Sequence, residues 1–180
     1  MEGNPIDHLR WLLADEVDIA LSRSIPDQQR FEFLLIYEEP IVIAISPKLD
    51  PVVLRSEKSL LTDVILISKD AAPGLNAITL DYIHRIGIKV ANLVEVADVQ
   101  SALMMAEANL GIAFLPSCVA NIGNFKTKFF HFDSHAPRVE LFAFWKKERE
   151  AHTSPFVDIL RSRLTAIRKH LESLVIISQG

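Results

Sequence analysis

Cysteine, glycine and long apolar runs are all scarce in this sequence. Its 180 residues contain 1 cysteine, Cys118, and 6 glycines. A single cysteine excludes a disulfide within the chain and the paired cysteines of a zinc ribbon. Chains without disulfides are typical of reducing compartments, so we expect this one in the cytoplasm. No apolar run reaches the roughly 20 residues of a membrane-spanning helix, and the residues after Met1 do not resemble a secretory leader.

Clustered positive charge is also scarce. The chain has 19 Lys and Arg against 23 Asp and Glu, which gives a formal net charge of -4. In the most charged segment, Phe144 to Glu150 ("FWKKERE"), bases and acids alternate. Nucleic-acid binding usually needs a basic patch, so we expect the chain alone to bind no DNA.

Helix and strand patterns alternate along most of the chain. Asp63 to Ser68 ("DVILIS") is continuously apolar, which is typical of a strand in a parallel sheet covered on both faces. Asn76 to Gly87 predicts a helix that ends at its glycine. Asp98 predicts the N-cap of the next helix, and Gly111 its left-handed C-cap. This alternation predicts an α/β fold with largely parallel sheets.

The two ends of the chain predict amphipathic helices. Asn4 and Pro5 are typical of a helix start, and we expect Ile6, Leu9 and Leu13 to share its apolar face. Glu16 to Ser22 predicts a strand. Glu38-Glu39-Pro40 separates two apolar runs between Phe33 and Ser46. Because proline cannot donate to a ladder, Pro40 marks an edge or a transition between strands. Ser154 and Pro155 predict the start of the last helix. Its predicted apolar face is Phe156, Ile159, Leu160, Arg163, Leu164, Ile167 and Leu171.

Two turns carry groups suited to an anion. Arg23 follows a strand between hydroxyls, and a strand-end arginine can clamp a carboxylate; an ordinary surface arginine is the alternative. Pro73-Gly74 lies at a strand-to-helix turn. The amides of Gly74, Leu75 and Asn76 would point outward there as an anion site; a plain turn is the alternative.

Neither metal nor catalytic chemistry is predicted. His131, Asp133 and His135 have a ligand-like spacing, but they lie in a loop with no third histidine nearby in sequence. Cys118 has no adjoining histidine or lysine, and we expect it to be a small buried residue. No carboxylate pair is placed for acid–base work. We therefore predict no enzyme and no cofactor.

Taken in order, four segments resemble the effector-binding domain of LysR-type transcriptional regulators. They are Leu12 to Arg23 ("LLADEVDIALSR"), Phe31 to Pro47 ("FEFLLIYEEPIVIAISP"), Glu95 to Pro116 ("EVADVQSALMMAEANLGIAFLP") and Leu141 to Leu164. Asn109 stands where the family has a glycine. The combination of Glu95 to Ala108 ("EVADVQSALMMAEA") with Leu35 to Pro40 ("LIYEEP") most resembles regulators of aromatic-compound catabolism.

The resemblance implies two Rossmann-like lobes of the periplasmic-binding-protein type II kind, with a ligand cleft between them. One lobe would be residues 1–44 plus 136–180, and the other 45–135. The chain would cross near Glu39 to Pro47 and near His135 to Leu141. The implied hinge residues are Pro40, Ser46 and Arg138. The implied ligand residues are Ser22, Arg23, Ser68, Pro73, Gly74, Leu75, Asn76 and Asp98.

The same resemblance implies a sensing function. The domain would bind a small anionic effector, such as a carboxylate, and act as a homodimer or homotetramer. The family's winged helix-turn-helix is absent from this sequence, as are the first strand and helix start of the first lobe. We therefore expect a truncated first lobe, with DNA contacted only through the missing part. A solute-binding protein of a transport system is the alternative.

Overall fold

A computed structural model describes residues 3, 5–23, 29–56, 61–121 and 125–174. The chain forms two compact units, Met1–Glu38 with Glu140–Ser173 and Glu39–Val139. The chain therefore passes between units after Glu38 and after Val139, and the predicted bounds at residues 44 and 136 remain a prediction. The helices are α1 (Pro5–Leu13), α2 (Pro51–Ser56), α3 (Pro73–Ile86), α4 (Val99–Glu107) and α5 (Glu150–Leu174). The strands are β1 (Ala20–Ser22), β2 (Phe31–Ile45), β3 (Leu61–Ile67), β4 (Lys89–Val96), β5 (Ile112–Pro116), β6 (Lys128–Phe130) and β7 (Arg138–Lys146).

The first unit is built on strands in the order β1-β7-β2. β1 runs antiparallel to β7, with Ala20 opposite Phe144. Phe31 packs edge-on against Phe144, with ring centroids 5.8 Å apart, beside the fully buried Leu12 of α1. A second apolar cluster around Trp145 lies under α5. These two clusters form the core of the first unit.

Two predictions for the first unit are wrong in detail. Leu12, rather than Ile6 or Leu13, is the buried residue of α1, and Ile6 is 72% exposed. Leu9 and Leu12 of α1 pack in the apolar cluster with Phe31 and Phe144, so the apolar face of the helix is rotated from the predicted one. β1 is three residues long, much shorter than the predicted Glu16–Ser22. Asn4, the predicted helix cap, lies outside the described residues.

β2 is one strand of 15 residues that runs through Pro40, so of the two predicted alternatives a transition between separate strands is wrong. Pairing with β5 begins at Ile41, opposite Pro116, directly after the proline. Pro40 therefore directly precedes the change at which β2 begins to pair with β5, while β7 is the other neighbour of β2 in the strand order. A residue that cannot donate to a ladder is tolerated at such a change.

α5 begins at Glu150, four residues before the predicted cap Ser154. A 3-10 turn, Lys147–Arg149, leads into it. Pro155 consequently lies inside the helix. In the turn before it, the Thr153 hydroxyl donates to the carbonyl oxygens of Arg149 (3.1 Å) and Glu150 (3.2 Å). Val157 lies in the core, whereas Phe156 and Ile159 of the predicted apolar face are 52% and 60% exposed.

The second unit has the strand order β2-β5-β3-β4, and β6 pairs with β2. β3 runs parallel to both neighbours, with Ile65 opposite Ala113 on β5 and Val94 on β4. Its last four residues are fully or almost fully buried. The predicted parallel strand is confirmed, and it forms the centre of the larger core.

Two of the three cap residues predicted for α3 and α4 are confirmed. Gly87 closes α3 in the left-handed conformation (φ 73°), and Asp98 caps α4 through the Ser101 amide (2.8 Å). The left-handed residue after α4 is Asn109 (φ 63°) instead of Gly111. Gly111 has φ 150°, and a Cβ there would lie 2.7 Å from the Asp63 carbonyl oxygen. This close approach requires a residue without a Cβ at position 111.

Candidate functional site

The turn from β3 into α3 holds most of the predicted ligand residues of the second unit. The Ser68 amide donates to Val96 O (2.8 Å), which ties the turn to the end of β4. The Ser68 carbonyl accepts from the Ala72 amide (2.9 Å), and its hydroxyl accepts from the Ala71 amide (3.3 Å). These bonds fix the turn so that Pro73 begins α3 one residue later.

The first turn of α3 offers two backbone amides. Pro73 has no N–H, and Ala72 provides no side-chain cap. The Asn76 amide donates to Ala72 O (2.9 Å), so the prediction of an open amide at Asn76 is wrong. The Asn76 amide is the first backbone donor of the α3 hydrogen-bond series. The amides of Gly74 and Leu75 have no acceptor among the described residues and lie at the positive end of the helix dipole.

Asn76 anchors this turn through its side chain. Its Nδ2 donates to Ile67 O (2.8 Å) and to Glu95 Oε1 (3.2 Å), and the residue is only 5% exposed. The side chain thus joins the start of α3 to the ends of β3 and β4. A buried side chain with two protein acceptors positions the Gly74 and Leu75 amides and does not face solvent.

Asp98 is engaged as a helix cap. Its Oδ1 accepts from the Ser101 amide (2.8 Å) and its Oδ2 from the Ser101 hydroxyl (3.0 Å). The bonds from the Ser101 amide and hydroxyl lower the pKa of Asp98. A carboxylate that stays ionised stabilises the N-terminus of α4. Its assignment as a ligand residue remains a prediction.

Ser22 and Arg23 lie in the first unit, whereas α3 and Asp98 lie in the second. Ser22 ends β1 opposite Phe142 and is buried. Arg23 follows it, half-buried. Ser24, the other hydroxyl of the predicted clamp, lies outside the described residues.

The predicted hinge residues occupy different surroundings. The amide of Ile41, next to Pro40, donates to Pro137 O (2.8 Å), so the two crossing segments are bonded to each other. Arg138 begins β7 and is exposed. Ser46 is fully buried, and its hydroxyl donates to Glu107 O (3.3 Å) at the end of α4. The hinge roles of Pro40, Ser46 and Arg138 remain predictions.

Glu39 is a buried acid that the sequence did not reveal as important. It is fully buried on β2, and its Oε2 accepts hydrogen bonds from the Ser117 hydroxyl (3.0 Å) and the Cys118 amide. The one available signal was a charge between two apolar runs. Glu39 therefore fixes the turn after β5 at the point where β2 enters the second unit.

The loop at His131–His135 binds α3. Asp133 Oδ1 accepts from the His135 amide (2.8 Å) and the Tyr82 hydroxyl (3.3 Å), and Arg85 donates to His135 O (2.6 Å). Burial, followed by the charge of Asp133, raises the pKa of Tyr82 to about 12. Within the described ranges no cluster of three His, Cys, Asp or Glu could hold a metal ion. No described helix is long and apolar enough to cross a membrane.

The sequence matches a family model and a characterised relative. The model of the LysR substrate binding domain matches residues 1–165. The HTH-type transcriptional regulator BudR of Raoultella terrigena is 29% identical over 132 residues, which are 68% of this chain and 45% of the relative. The chain thus spans less than half the length of that relative.

Solved structures show the same fold. The effector binding domain of a BenM variant matches with a TM-score of 0.75 and 15% identity, over 92% of this chain and 78% of that chain. The BenM effector binding domain with its effector benzoate matches at 0.66 and 16%, over 82% and 68%. Full-length CbnR complexed with target DNA matches at 0.72 and 19%, over 91% and 59%. The predicted α/β fold of the periplasmic-binding-protein type II kind is confirmed.

Proposed function

The chain belongs to the LysR substrate-binding domain family, and from that premise we propose that it is the ligand-sensing part of a bacterial LysR-type transcriptional regulator. The regulator BudR, at 29% identity, supports this assignment. A solute-binding protein of a transport system is the alternative, and the match to a transcriptional regulator does not favour it. We propose a binding protein rather than an enzyme, acting in the cytoplasm where its DNA lies.

We propose that the effector is a small anion, and specifically a carboxylate. The observation that carries this proposal is the start of α3, where the Gly74 and Leu75 amides lack acceptors among the described residues. Two aligned N–H groups at a helix N-terminus favour an anion through both hydrogen bonds and the helix dipole. Benzoate is the effector of BenM, which shares the fold. An aromatic-derived carboxylate is therefore the first class to test.

We propose that effector binding changes the geometry of a homodimer or homotetramer on DNA. CbnR binds its target DNA as a full-length protein, and this chain covers 59% of it. DNA would be contacted by a part outside this chain. An effector alters such an assembly only if it binds one arrangement more tightly than another.

A thermal-shift comparison of matched ligands tests the anion proposal. Benzoate and cis,cis-muconate would be compared with benzamide, which has the shape of benzoate without its charge. A ligand that binds only the folded state raises the melting temperature, by an amount that grows with concentration. We expect a rise with a carboxylate and none with benzamide. Equal rises with benzoate and benzamide would contradict an anion site.

A further inference from the structure

Helix α5 has an apolar side that the first unit does not cover. One side of the helix packs on the core through Val157 and Leu160. On another side Phe156 and Ile159 are 52% and 60% exposed. These exposed residues belong to a series at three- and four-residue intervals, which places its members along one side of a helix. The series, called the α5 seam below, is Phe156, Ile159, Arg163, Ala166 and His170.

A shallow depression of about 490 Å³ runs beside the α5 seam. The half-buried Leu160, Ile167 and Leu171 line it from the core side, and seam residues from Ile159 onward line the other. Ile159 and Leu171, the first and last residues that line the depression, are twelve residues apart, or about 18 Å along the helix axis. A long depression between two rows of side chains on one helix is the surface into which the side chains of a second helix pack.

The depression is lined by positive charge at Arg163. The neighbouring arginines of α5 are engaged elsewhere, because Arg168 donates to Leu35 O (2.8 Å) and Ile36 O (2.9 Å). Asp158 pairs with Arg161 at 4.0 Å. Arg163 and His170 line the depression itself. Arg163 is exposed and forms no ion pair in the described part of the chain. A partner helix that lies here needs carboxylates beside its apolar stripe.

We propose that the α5 seam is a docking surface for an acidic amphipathic helix of a partner protein. Apolar side chains of the partner fill the depression, and a carboxylate pairs with Arg163. This is the helix-in-groove form of recognition. A second copy of α5 fits less well, because an antiparallel pair centred on the seam places Arg163 against Arg163 and repels.

A peptide pair tests the proposal on the full chain. The first probe is a fluorescein-labelled peptide of about 16 residues, with leucines at three- and four-residue intervals and glutamates beside them. The second has lysines in place of the glutamates. Fluorescence anisotropy is expected to show the glutamate peptide binding at least about tenfold more tightly. Equal binding of the two peptides, or no binding of either, would overturn the proposal.

Three variants locate the binding surface. Arg163→Glu is expected to reverse the preference between the two peptides. Ile159→Asp weakens both by about tenfold or more, because it puts a charge into the apolar contact. Arg161→Glu changes the same charge on the same helix outside the depression and leaves binding within about twofold. Self-association of the chain that Ile159→Asp abolishes would show that a second copy, not an acidic helix, occupies the seam.

Discussion

Replacing Asn76 with alanine would show whether its side chain positions the anion site. The change removes both donors of Nδ2, to Ile67 O and to Glu95 Oε1, from a residue that is 5% exposed. It leaves the Cβ and the helix in place. The link between α3 and the ends of β3 and β4 is then lost, while the Gly74 and Leu75 amides remain.

The size of the effect follows from the two bonds and their burial. Each net hydrogen bond contributes about 1 kcal/mol, and a buried oxygen without its donor costs about 1–3 kcal/mol. Alanine returns about 0.6 kcal/mol through its higher helix propensity. We expect the free energy of unfolding to fall by about 2 kcal/mol, and Tm by about 4–8 °C for a chain of this size.

Urea unfolding followed by far-UV circular dichroism measures this difference. The control is Asn92→Ala, because Asn92 is exposed and its Nδ2 makes a single bond, to Asp63 Oδ1 (2.8 Å). We expect the control to lose no more than about 0.5 kcal/mol. If Asn76→Ala and Asn92→Ala lost the same stability, the anchoring role of Asn76 would be refuted.

Three further predictions concern other residues. Arg23→Ala is expected to weaken calorimetric carboxylate binding about tenfold, or 1.4 kcal/mol; unchanged affinity would remove Arg23 from the site. Gly111→Ala should destabilise the fold by roughly 2–3 kcal/mol, because its Cβ would meet Asp63 O at 2.7 Å. The control Gly87→Ala, with nothing within 4 Å of a Cβ, should lose about 1 kcal/mol. Equal losses in thermal unfolding would contradict the close approach at Gly111. The pKa of Tyr82 is raised from 10.0 to about 12, so the protonated phenol stabilises the fold fully below pH 10, and this contribution is lost between pH 10 and 12. Tyr82→Phe should therefore lose less stability than the parent over that range, and parallel stability profiles would argue against the raised pKa.

Local signals in the sequence predicted the elements that depend on local chemistry. Gly87 ends α3 because a left-handed residue without a Cβ costs little there. Asp98 caps α4 because its carboxylate reaches the Ser101 amide three residues on. The apolar run of β3 identified a strand with two parallel neighbours.

Features that depend on distant contacts were not predictable in this way. The anchoring role of the Asn76 side chain was not predictable, because its acceptors, Ile67 O and Glu95 Oε1, come from two other strands. Gly111 has the right residue type for a cap, but the backbone of Asp63 dictates the glycine. The buried position of Glu39 depends on donors 78 and 79 residues away along the chain.

The most direct test of the central claim is a calorimetric titration of the Gly74→Asp and Gly74→Asn variants with the carboxylate that gives the largest thermal shift. The two new side chains have nearly the same size, but only aspartate places a negative charge at the start of α3, where it competes with an anion. The account predicts that Gly74→Asp binds at least about tenfold more weakly than Gly74→Asn, or 1.4 kcal/mol. Equal affinities of the two variants would contradict an anion site at this turn.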